Sequence, residues 1–136
     1  MLSRRLLLLA LPALVLALAA ARAEDHPVVA LVKTKVKDPG KPFALLVTIK
    51  AKAGKEKELE AAFAPCVAAT KKEAGCLAYE LNRDPDDPSV YLMYEKFKGL
   101  AALEAHLKEA HTVKLLEALG PLTDGGPKAK VYAVPE

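Results

Sequence analysis

The stretch VYLMYEKFKGLAALEAHLKEAHTVKLLEAL, Val90 to Leu119, decides the fold. Its first eight residues, Val90 to Phe97, are rich in β-branched and aromatic side chains, as a strand requires. Gly99 interrupts, and from Leu100 to Leu119 apolar residues recur at helical spacing, with Leu103, Leu107, Val113, Leu116 and Leu119 as the expected core. A strand running straight into a helix puts Tyr91, Tyr94, Phe97, His106 and His111 in one neighbourhood. The whole chain has 4 Tyr, 3 Phe, 3 His and no Trp, so this crowding marks the expected wall of any pocket.

Upstream, CLAYELN (Cys76 to Asn82) reads as a strand, and RDPDDPS (Arg83 to Ser89) as the turn that pairs it with Val90 to Phe97. The three aspartates of that turn lack the ligand spacing of a calcium loop. FALLVTIKAK (Phe43 to Lys52) is the first confident strand, broken by Gly54. A helix is expected from Lys55 to Ala74, with Leu59, Ala62, Phe63, Cys66, Val67, Thr70 and Ala74 on its buried face. Pro65 should kink that helix, and Gly75 should cap it. Downstream, Gly120-Pro121 should end the second helix, and KVYAV (Lys130 to Val134) forms the last strand. Residues 43–136 therefore read β-α-β-β-α-β. This is the α+β, ferredoxin-like plan, a four-stranded antiparallel sheet with both helices on one face. The open face needs a cover, either a ligand or a second subunit.

The N-terminus carries two further expectations. Residues 1–23 have Arg4 and Arg5, an apolar run from Leu6 to Ala20, and Ala21-Arg22-Ala23, the layout of a cleavable secretory signal peptide. The run is short for a membrane span of about 20 residues, so export to the periplasm or beyond is expected, with no stable membrane anchor after cleavage. Residues 24–42 form an extension in which Val32, Thr34 and Val36 alternate with Lys33, Lys35 and Lys37, a pattern that predicts an extra edge strand.

Charge excludes one class of partner. The full chain has 20 basic and 17 acidic residues, but residues 1–23 hold three arginines and no acid, so the remainder balances at 17 and 17. A neutral domain offers no electrostatic footing for nucleic acid. Cys66 and Cys76 lie about 15 Å apart if one is mid-helix and the other just past its end, too far for the roughly 7 Å limit of a disulfide. Both read as small buried side chains. No metal cluster of recognisable spacing is present. On a continuous helix His106 and His111 point about 140° apart and could not share an ion, and only a break near Ala110 would relax that. Taken alone, His106 reads equally well as a packing or a functional histidine, and the tyrosines as ordinary sheet residues.

Gly75-Cys76 with Tyr79, then Glu95-Lys96-Phe97, then LEAHLKEAH (Leu103 to His111) together resemble the antibiotic biosynthesis monooxygenase family, in particular its quinol monooxygenase branch. The likeness runs from about Ala44 to Val134. It implies a homodimeric α+β barrel made by two sheets packed face to face, and a pocket for a flat aromatic quinol or polyphenol. It also implies oxygenation without metal, flavin or other cofactor. On this resemblance His106 is the expected catalytic group, Tyr79, Tyr94 and Phe97 are pocket walls, and His111 is a further substrate-binding candidate. The chain departs from the family in having Phe97 where a tryptophan is usual. The haem-degrading branch uses an asparagine on the first strand and a late histidine on the second helix. Here Val47 and Thr48 occupy the strand and no histidine follows Thr112, which disfavours haem degradation. A non-catalytic dimeric barrel that binds a hydrophobic small molecule is the competing reading.

Overall fold

The computed structural model describes residues 26–135. The expected signal peptide, residues 1–23, lies outside them. The elements in order are α1 (Pro27–Lys35), β1 (Phe43–Lys50), α2 (Glu56–Thr70), β2 (Cys76–Arg83), β3 (Val90–Phe97), α3 (Leu100–Lys108), α4 (Ala110–Leu122) and β4 (Lys128–Ala133). The four strands are antiparallel in the order β2-β3-β1-β4, and the helices cover one face. This is the α+β ferredoxin-like fold the sequence predicts. No helix among the described residues is long and apolar enough to cross a membrane.

Strand alternation sorts the side chains. Phe43, Leu45 and Ile49 of β1, Tyr91, Met93 and Phe97 of β3, and Tyr79 of β2 point toward the helices and are buried. The helices answer with Leu59, Phe63 and Cys66 from α2, Leu103 from α3, and Leu115, Leu119 and Leu122 from α4. The opposite face of the sheet presents Ala44, Leu46, Leu92, Tyr94 and Tyr132, with Leu92 and Tyr132 exposed.

Four expectations need correction. The extra N-terminal strand is a helix. His26 caps α1 by accepting the Val28 N–H at Nδ1, Pro27 sits in the first turn, and Val29, Val32 and Val36 recur at helical spacing into the core. Of the lysines whose alternation argued for a strand, Lys33 and Lys35 are exposed on α1, Lys33 beside Glu104 of α3, and Lys37 lies past its end. The second helix is two helices. Glu109 is extended (φ −66°, ψ 140°) and separates α3 from α4. That break shifts the helical phase, so Thr112 and Leu115 are buried while Leu116, an expected core residue, is exposed. Helix α4 also runs through Gly120 and Pro121 to Leu122 rather than stopping there. Finally, α2 ends at Thr70, and Gly75 does not cap it. Gly75 is needed for close approach instead: a Cβ at that position would lie 2.4 Å from the Cβ of Ala102. Cys66 and Cys76 are both unpaired thiols, Cys66 buried and Cys76 partly so.

Candidate functional site

A cavity of about 670 Å³ lies between the inner face of the sheet and the helices. Its walls are mostly apolar, with Leu45, Val47, Ile49 and Met93 from the strands and Leu103, Leu107, Leu115 and Leu119 from α3 and α4. Helix α1 contributes Pro27, Val28 and Leu31 to one side, and His26 stands at its start. The polar groups in this lining are few: His26, Tyr79, Glu95, His106, Thr112 and Thr123. A volume of this size with few convergent polar groups is the form of a small-molecule site.

His106 is the centre of the polar part. It is only 2% exposed, and its ring packs 5.2 Å from that of Tyr79 and 5.1 Å from that of Phe97 (centroid to centroid). Its Nδ1 lies 3.0 and 3.2 Å from the two carboxylate oxygens of Glu73, a residue of the turn between α2 and β2. The Thr112 hydroxyl lies 3.3 Å from Nδ1 and 3.4 Å from Nε2, so it sits against the ring and favours neither nitrogen. His111 Nε2 lies 2.6 Å from the same Glu73 oxygen. The helix break at Glu109 makes this possible, because it rotates the start of α4 and lets both histidines converge on one carboxylate. Burial pushes the His106 imidazole below its ordinary value, while the Glu73 carboxylate opposes that shift. Burial likewise drives the Tyr79 phenol far up, so it stays a neutral wall and donor.

Glu95 is the residue that sequence reasoning missed as a site. It occupies an inward position of β3, flanked along the strand by Met93 and Phe97 and across it by Tyr79 and Leu45. Its carboxyl lines the cavity, and among the described residues no hydrogen bond or ion pair reaches it. Burial, and secondarily the charge of Glu73, pushes its carboxyl up to about 8. At neutral pH it is therefore a protonated donor facing an apolar cavity. Its two aromatic neighbours, Tyr79 and Phe97, are the same two whose rings contact His106, so acid and imidazole share one end of the cavity. The signal was available: an acidic residue stands at the inward step of Tyr91, Met93, Glu95, Phe97.

The expected residues divide. His106 and Tyr79 line the cavity, and Phe97 buttresses the His106 ring from behind. His111 does not line the cavity, and its contact is with Glu73 on the far side of His106. Tyr94 is not a wall. It is one step out of phase with Phe97 and faces away from the helices, opposite Leu46 of β1 and Glu80 of β2.

The structure is thus a ferredoxin-like sheet with a cavity of small-molecule size between the sheet and its helices. The antibiotic biosynthesis monooxygenase family matches residues 42–118, and the chain belongs to that family. A similar solved structure, the PA3566 protein of Pseudomonas aeruginosa, is 31% identical, with a TM-score of 0.65 over 71% of this chain and 98% of that one. A Caulobacter crescentus protein assigned to the antibiotic biosynthesis monooxygenases is 26% identical, with a TM-score of 0.69 over 76% of this chain and 99% of its own. Among curated relatives, the uncharacterised protein sll1783 of Synechocystis is 25% identical over 101 residues, 74% of this chain and 69% of that protein.

Proposed function

We propose that the protein is a monooxygenase that oxidises a quinol-like or polyphenolic aromatic molecule with O2, and that it does so with no cofactor. The observation that carries this reading is the pairing, in one apolar cavity, of an unpartnered Glu95 carboxyl with the His106 imidazole. Family membership supports the reaction class. The cavity supports the substrate class, since its apolar walls suit a flat ring and its few polar groups suit phenolic oxygens.

The chemistry needs little from the protein. His106 Nε2 takes the phenolic proton, and the oxygen keeps the electron pair as phenolate. Glu95, as a neutral acid, donates a hydrogen bond to an oxygen that gains charge. The electron-rich phenolate passes an electron to O2, and the radical pair joins at an open para carbon as a hydroperoxide. Loss of water leaves the para-quinone. In total a phenol and one O2 give a quinone and one water, so the substrate supplies all the electrons. We further propose that two chains pair through the outer face of the sheet, where Leu46, Leu92, Tyr94 and Tyr132 would otherwise be left against water, and that the protein acts after export.

The test is oxygen uptake by the protein lacking residues 1–23 with a panel of naphthol-type and anthrone-type phenols that have an open para carbon, alongside ligand binding. Uptake above autoxidation is expected, with His106→Ala losing at least about a hundredfold in kcat while binding persists. Binding of the panel without uptake would replace this reading with that of a carrier or sensor of hydrophobic small molecules.

A further inference from the structure

We propose that Glu73 is the positioning residue of this site. Its carboxylate accepts the Nδ1–H of His106 and so leaves Nε2 as the bare nitrogen, able to accept a proton from a molecule in the cavity. The inference rests on the oxidative reading above and extends it to a residue that never touches substrate.

The argument begins with what each atom can do. A carboxylate only accepts hydrogen bonds, so at 3.0 and 3.2 Å the proton between Glu73 and His106 belongs to Nδ1. The neutral ring has one N–H, and Nε2 is therefore the bare nitrogen. Were Glu73 absent, either nitrogen could carry the proton. Molecules protonated at Nε2 would then present an N–H to a substrate hydroxyl and could not accept from it. His111 aims the carboxylate: its Nε2–H donates to the same oxygen at 2.6 Å, from a side chain 21% exposed. Three segments thus converge, the α2–β2 turn, the end of α3 and the start of α4. The break at Glu109 serves this convergence, since an unbroken helix would point the two histidines apart.

Charge completes the case. When His106 takes a phenolic proton at Nε2, it becomes an imidazolium in a site only 2% exposed. The Nδ1–H stays on nitrogen, and the adjacent carboxylate stabilises the new cation without accepting its proton. The other ionisable groups around the ring are Tyr79 from β2, Glu95 from β3, Glu109 at the helix break, His111 of α4, whose ring centroid is 6.1 Å away, and His26 at the start of α1, with the Cys66 thiol of α2 beneath Tyr79. None of their carboxylates has a hydrogen bond to the ring among the described residues, whereas that of Glu73 lies 3.0 Å from Nδ1.

Long-range 1H–15N NMR of the imidazole nitrogens tests this directly, in the wild type, Glu73→Gln, Glu73→Asp and His111→Ala. The expected wild-type spectrum shows His106 with a protonated Nδ1 and a bare Nε2. In Glu73→Gln the tautomers mix and the imidazole titrates at lower pH. His106 acts as a base only when neutral, so activity falls as pH drops through its titration. The acid limb of the kcat/KM profile, with 1-naphthol as probe, should therefore move to lower pH in Glu73→Gln. There kcat should fall at least about tenfold with KM little changed, Glu73→Asp should recover part of it, and a residue holding only the fold would leave the limb in place. A wild-type His106 protonated at Nε2, or a tautomer and titration unchanged by Glu73→Gln, would overturn the assignment. So would a 1:1 Zn2+ complex of Glu73, His106 and His111 required for turnover, which would make the cluster a metal centre. The spectra need no substrate, so absence of turnover would count against the oxidative reading alone.

Discussion

Glu95 carries a measurable cost to the fold. Its ordinary value is 4.5, and in the folded protein burial raises it to about 8. Between these values the unfolded chain has lost the proton and the folded chain has kept it, so stability declines as pH rises from about 4.5 to about 8 and then levels off. Glu95→Gln removes that titration. The variant should show a flatter dependence of Tm on pH across this window and a higher Tm than the wild type at pH 9. Equal Tm–pH curves would mean that the carboxyl is solvated rather than sealed against the cavity. At this scale His106 and Tyr79, both readable in the sequence, line the cavity, whereas His111 and Tyr94 do not, Tyr94 for a reason the sequence also held. Tyr94 and Phe97 are three apart on a strand and so face opposite sides, which bars them from sharing a wall. Glu73 left no such trace, because a residue in an irregular turn has no period. Only the folded path of the turn brings it to His106.

The elements make sharper demands at their junctions than along their lengths. The strands were readable because period-two patterning and turn residues agree over Cys76 to Phe97, and β3 begins and ends at the residues its sequence implies. Two helices were misread where local signals competed. In α1, Lys33, Lys35 and Lys37 mimic a strand edge, but Val29 and Val32, each 0% exposed, fix the helical face once tertiary packing is counted. The α3–α4 break has no Gly or Pro to announce it. It can be tested with Ala110→Pro. Ala110 is the first residue of α4, exposed and preceded by an extended residue, where proline fits. The substitution should leave Tm unchanged or raise stability by about 0.4–1 kcal/mol. A loss of about 3 kcal/mol, the cost of proline inside a helix, would mean the helix is continuous. Gly75 gives the opposite case. The segment before β2 passes so close to α3 that Gly75→Ala should cost about 1–3 kcal/mol by overpacking against Ala102, read as a fall in Tm.

At the scale of the whole molecule, the helices of one chain cover one face of the sheet and leave the other face, with Leu92 and Tyr132, exposed. If a second copy covers that face, sedimentation should give about twice the mass of one chain, and Tyr94→Asp should yield a folded monomer with its cavity intact. A wild-type monomer at micromolar concentration would remove the barrel assembly. The cavity itself lies within one chain, so the oxidative reading can be tested independently of assembly. Its most direct test is to supply 18O2 to the purified protein with a phenol of open para position, and to weigh the products. The account predicts one 18O atom in each quinone and the other in water, with labelling lost in His106→Ala. Quinone free of label with the oxygen recovered as hydrogen peroxide would contradict it, because the protein would then be an oxidase that leaves both oxygen atoms out of its product.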